Sequence, residues 1–114
     1  SPLPEKVVRV ADRDDKFNRN AWVRVDELSQ TPGHIEVMRE ENSIEVTARG
    51  VSKFTLLLNP EEIDFSEPLL VKVNGEIKLS EHVSQSVDTL LFWAKEDRVR
   101  SMLFTAELNF EVGD

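Results

Sequence analysis

Apolar residues recur at every second position over much of this chain, the spacing of strands with one buried face. Val7, Val8 and Val10 open a first strand, and the charged run Asp12-Arg13-Asp14-Asp15-Lys16 follows as a turn. From Asn20 to Leu28 the pattern sets Val23 and Val25 on one face. Trp22, Arg24 and Asp26 fall on the other. Thr31-Pro32-Gly33 reads as a turn. Ile35 and Val37 alternate with Glu36 and Met38, and Ile44, Val46 and Ala48 alternate with Glu45, Thr47 and Arg49. The two runs form a hairpin with one polar face. Gly50 interrupts the pattern, and Phe54, Leu56 and Leu58 resume it. Leu57 is apolar as well, so this strand is expected to be covered on both sides.

Leu69 to Val73 and Glu76 to Leu79 flank Asn74-Gly75. Asn-Gly between two alternating runs predicts a tight hairpin, because both residues accept positive φ. Ser86 to Lys95 is the one helical stretch. Val87, Leu90, Leu91 and Ala94 fall at i, i+3, i+4 and i+7, which predicts an apolar stripe facing the core. Ser84 or Ser86 suits its N-cap, and Asp88 suits the positive end of its dipole. The chain finishes in a long strand from Leu103 to Val112. About eight short strands and one helix, joined by short connections, predict a mostly-β fold. The expected architecture is an antiparallel two-sheet β-sandwich of fibronectin or immunoglobulin type, with one short helix near residues 86–95.

The 114 residues are enough for one domain with one core. Residues 1–4, Ser-Pro-Leu-Pro, read as a linker, and residues 5–114 as a single β-sandwich domain. The opening at Ser1 without a methionine reads as an interior cut in a longer protein. A net charge of -8 disfavours phosphate backbones and anionic lipid, so no nucleic-acid partner is expected. No apolar stretch reaches the ~20 residues of a membrane helix, so no membrane insertion is expected either. Cysteine is absent, which removes disulfides, thiolate nucleophiles and Cys-based zinc sites.

Candidate chemistry is sparse. No serine lies in a Gly-x-Ser-x-Gly elbow, and there is no glycine-rich phosphate loop. His34 and His82 sit at strand ends and read as half-exposed strand residues rather than general bases. Asp12, Asp14, Asp15 and Asn18 form an oxygen-rich cluster suited to calcium. The segment lacks the turn glycine of an EF-type loop, and a solvated acidic turn is the simpler reading. Glu40-Glu41 and Glu61-Glu62 lie in turns, with nothing to set two carboxylates across a cleft. No cofactor, metal or catalytic residue is therefore assigned. The large amphipathic side chains Trp22, Arg24 and Trp93 remain as the candidate interaction surface. The two tryptophans could also stack a sugar, which makes a glycan a possible partner.

Four segments carry a resemblance. Arg19-Asn20-Ala21-Trp22-Val23-Arg24-Val25-Asp26 resembles the strand that opens a C-terminal module found behind some bacterial α/β-hydrolases. Pro68-Leu69-Leu70-Val71-Lys72-Val73-Asn74-Gly75 is similar to that module's hairpin. Val87 to Ala94, with Asp97 and Arg98, resembles its helix, and the strand around Ala106 resembles its last strand. The match in order and spacing runs from about Val7 to Val112. The host enzymes resemble esterases and serine peptidases of the prolyl-oligopeptidase and dienelactone-hydrolase type. The resemblance implies a β-sandwich appendage, not an enzyme by itself. Its partner would be the catalytic domain of the parent protein, whose nucleophile, acid and histidine lie upstream of this segment. The parent could be an exported protein. A carbohydrate-binding β-sandwich module using exposed tryptophans is the alternative function.

Overall fold

The computed structural model describes residues 6–11, 19–20, 22–96 and 104–112. They form nine strands and one helix in two sheets. The strands are β1 (Lys6–Ala11), β2 (Arg19–Asn20), β3 (Val23–Leu28), β4 (Gly33–Glu40) and β5 (Ser43–Arg49). They continue as β6 (Val51–Leu58), β7 (Leu69–Val73), β8 (Glu76–Glu81) and β9 (Ala106–Glu111). The helix, α1, is Val87–Glu96. One sheet has the order β1-β4-β5-β7-β8 and the other β2-β3-β6-β9.

The period-two pattern becomes rows of apolar side chains that cross the strands. Val7, Val37, Val46 and Val73 are cross-strand neighbours in the five-stranded sheet, and all four are buried. In the four-stranded sheet Val23 lies opposite Leu56, which lies opposite Leu108. Val25, Phe54 and Phe110 make the next row, with the two phenylalanine rings stacked at 5.3 Å. Val23, Val25, Phe54 and Leu56 share one buried core with the first sheet's row, and Leu108 and Phe110 pack half-buried against it.

One pairing departs from the expected antiparallel sheets: β5 and β7 are parallel, with Ser43 opposite Leu70 and Val46 opposite Val73. The cause is the route of the chain. A single residue, Gly50, separates β5 in one sheet from β6 in the other. Having crossed, the chain runs along β6, and the 59–68 loop returns it to the start of β5. From there β7 runs alongside β5 in the same direction. Gly50 has φ of 75°, a conformation that L side chains avoid. Its carbonyl also accepts the N–H groups of Ser29 (2.8 Å) and Gln30 (3.2 Å), which ties the β3–β4 turn to the crossing.

The Asn74-Gly75 hairpin forms as expected, with φ of 51° and 83°. The helix also forms, and Ser86 caps it by accepting the Thr89 N–H on its hydroxyl oxygen at 3.2 Å. Its packing face is the other one, however. Val87 is 71% exposed, Leu91 is 61% exposed and Ala94 also faces out. Trp93 is buried, and Ser86, Thr89 and Leu90 are half-buried. These four also follow i, i+3, i+4, i+7 spacing, one residue out of phase with the expected stripe. The large ring of Trp93 decides the phase, because it buries more apolar area than Val87 or Leu91 would.

Phe54 is fully buried at the centre of the core. Phe54→Ala is expected to lower stability by about 4 kcal/mol, the usual range for emptying an aromatic core site. Urea unfolding followed by tryptophan fluorescence measures it.

Candidate functional site

Trp22, Arg24 and Trp93 do not form an outward surface. Both tryptophans are buried, Trp22 at 3% exposure and Trp93 at 7%. Trp22 precedes β3 at a turn, and its carbonyl accepts the Leu57 N–H at 2.8 Å. The 59–63 segment closes over this end of the molecule. Trp22 borders a void of about 10 Å³ there with Leu57, Leu58, Asn59 and Ile63. That space is at the lower limit for one water molecule. Trp93 packs edge-on against Phe104 at 5.6 Å, and its indole N–H donates to Glu107 Oε1 at 3.1 Å. Neither ring is open to stack a sugar.

Arg24 is half-buried and connects to Trp93 through Glu107. Its Nη1 lies 3.8 Å from Glu107 Oε1, the oxygen that accepts the Trp93 indole. The guanidinium also donates to Asp26 Oδ1 (2.7 Å) and Thr55 Oγ1 (3.1 Å). Thr55 is fully buried, and its hydroxyl lies 2.5 Å from Asp26 Oδ2 and 2.7 Å from Asn109 Oδ1. One hydroxyl proton serves one acceptor at a time, and the carboxylate is the stronger acceptor. The network spans β3, β6 and β9 and ends at the helix. It holds α1 on the sheet, so Arg24 and Trp93 serve the fold together.

A second polar centre closes one end of the sandwich. Arg39 continues the inward-facing series Gly33, Ile35, Val37 along β4, with its side chain 9% exposed. Its guanidinium donates to Glu62 Oε2 (2.8 Å), to the Glu62 carbonyl (3.2 Å) and to the Glu41 carbonyl (3.1 Å). Asn42 fixes the same loop. Its Nδ2 donates to the Asp64 carbonyl at 2.7 Å, and its Oδ1 accepts the Asp64 N–H at 2.9 Å. Ile63 is thereby pressed into the core.

Outside this closure lies an open cleft of about 840 Å³, lined in part by Arg39, Glu41, Glu62, Asp64 and Phe65. Two of its carboxylates are committed. Glu62 is held by Arg39, and Asp64 accepts the Ser66 hydroxyl and N–H. Those bonds, the hydroxyl first, hold the Asp64 carboxyl below its ordinary pKa, so it stays ionised and is a poor proton donor. His82 Nε2 lies 3.1 Å from the Ser66 carbonyl, and His34 is exposed. Among the described residues, no group of three or more histidines and carboxylates is placed to hold a metal ion. Asp12, Asp14, Asp15 and Asn18 lie outside the described residues.

Sequence patterning missed Arg39, because a charged residue at an inward position reads as a strand end. The outward face of α1 was missed with it. Val87, Leu91 and Phe92 are 71%, 61% and 53% exposed. The signal for that face was Trp93, which competes with the Val87-Leu91 stripe for the buried side. Comparison with known protein families, curated proteins and solved structures finds no match.

Two substitutions test the polar centres, and a third at an exposed ion pair serves as the control. Arg39→Ala is expected to destabilise by about 3 kcal/mol, because it strips the guanidinium from a largely buried carboxylate. Lys6→Ala, at the exposed Lys6–Glu36 pair (3.2 Å), is expected to change stability by less than about 1 kcal/mol. Thr55→Val keeps the shape but removes the hydroxyl, and is expected to lower stability by about 1–3 kcal/mol. Chemical denaturation midpoints at constant slope report all three.

Proposed function

We propose that this domain is a non-catalytic C-terminal accessory domain of a larger bacterial hydrolase. It docks on the catalytic domain of its parent through the outward face of α1. The motif resemblance from Val7 to Val112 supports the hydrolase context. The observation that carries the docking surface is the exposure of Val87, Leu91 and Phe92 on one short helix. Phe92 packs edge-on against Trp93 at 5.2 Å, and Trp93 is anchored in the sheet through Glu107. A rigidly mounted apolar patch of this kind is the usual core of a protein–protein contact. This surface replaces the one expected from Trp22, Arg24 and Trp93. The glycan-binding alternative rested on exposed tryptophans and loses its support with their burial.

The test uses the full-length parent protein carrying Leu91→Glu and Phe92→Glu together. Both positions are largely exposed in this domain, so its own unfolding free energy is expected to stay within about 0.5 kcal/mol of wild type. Proteolysis between the two domains is expected to accelerate as docking loosens. Unchanged proteolysis and unchanged hydrolase activity would reject the surface. A parent reading frame without a Gly-x-Ser-x-Gly segment upstream would reject the hydrolase context itself.

A further inference from the structure

Asn74-Gly75 is the only Asn-Gly pair in the chain, and both residues are exposed at the tip of the β7–β8 hairpin. Asn-Gly is the dipeptide most prone to spontaneous deamidation, because glycine leaves its backbone nitrogen sterically open to attack the asparagine side chain. Here the asparagine side chain is not free to receive that attack. Its Oδ1 accepts the Ala48 N–H at 2.9 Å, and its Nδ2 donates to the Ala48 carbonyl at 3.2 Å. The Asn74 backbone N–H donates to the Val46 carbonyl at 2.7 Å. Beyond the last paired residues, Val46 and Val73, the side-chain amide stands in for a strand and prolongs the parallel β5·β7 ladder.

We infer that Asn74 is a conformation-gated deamidation site, shielded while β5 and β7 are joined and open to modification when they part. The reaction needs only water. The Gly75 backbone nitrogen bonds to Asn74 Cγ, the Cγ–Nδ2 bond breaks, and ammonia leaves with the proton that Gly75 gives up. Water then opens the resulting succinimide at either carbonyl, leaving aspartate or isoaspartate at position 74. For the first bond to form, the side chain must swing from Ala48 toward its own backbone, which breaks both hydrogen bonds to β5. The bond to Oδ1 alone would polarise Cγ toward attack. Together with the Nδ2 bond, however, it fixes the amide plane against the neighbouring strand.

The product cannot restore the seam. A carboxylate has no proton to donate to the Ala48 carbonyl and places an anionic oxygen against it. Isoaspartate also adds a methylene to the backbone of a two-residue turn whose residues sit at φ of 51° and 83°. The single modification therefore leaves the seam easier to open, and nothing in the chain reverses it.

The experiment incubates the intact domain in mildly alkaline buffer made with oxygen-18 water, with and without urea at a concentration that unfolds it. Peptide mapping then follows amide-to-acid conversion and label uptake at position 74. Conversion in the folded domain is expected to be roughly thirtyfold slower, the factor by which two ordinary hydrogen bonds lower an open population. A folded-to-unfolded rate ratio near unity would overturn the inference, as would an unfolded chain that does not convert. Asn74→Asp serves as the ready-made product and keeps the backbone regular. It is expected to unfold at lower urea than wild type, and an unchanged midpoint would overturn the role of the amide in the seam.

Discussion

The structure depends on how the chain leaves one sheet for the other at Gly50. Two sheets, each apolar on one face, must be stacked so that neither face meets water. The β4–β5 hairpin belongs wholly to the first sheet, and the next strand is already in the second. One residue makes the transfer, and its left-handed backbone is what lets so short a link turn the corner. The parallel pairing of β5 and β7 follows from this, since β6 occupies the intervening pass.

The polar interactions serve the same stacking. A sandwich has open ends, and a loop that closes one must bring its backbone polar groups with it. Asn59, Asn42 and Arg39 answer that need at one end. Asn59 is buried and accepts the Glu61 N–H on its side chain, while Arg39 takes two carbonyls and a carboxylate. On the outer face of the second sheet the chain from Arg24 through Thr55 and Glu107 does a parallel task. It lets a short helix lie on a polar surface without leaving buried groups unpaired. In both places charged residues hold segments whose apolar contacts alone are few.

The strands were legible because the period of two is strong where one face is buried, as at Ile35, Val37, Ile44 and Val46. The hairpin at Asn74 was legible because its φ requirement is local. The parallel pair was not, because alternation marks faces and carries no record of strand order. The helix phase was missed for a related reason. Two apolar stripes one residue apart compete, and only the sheet beneath them selects Trp93 over Val87 and Leu91. Trp22 was misplaced because alternation along β3 was extended into a turn, where the backbone no longer obeys it. Arg39 and Thr55 show the limit of hydropathy itself, since a charged or hydroxyl side chain can be buried when its partners come from distant strands. Thr55 meets Asn109 across a separation of 54 residues.

That separation bears on how the chain is made. Synthesis delivers β6 long before β9, its antiparallel partner along Phe54 to Leu58. Until the later strand emerges, one edge of β6 carries unpaired backbone groups beside Phe54, Leu56, Leu57 and Leu58. Such an edge is a template for pairing between chains. The nascent domain therefore passes through an interval of aggregation risk set by topology rather than by final stability. It narrows when β9 arrives and pairs with β6.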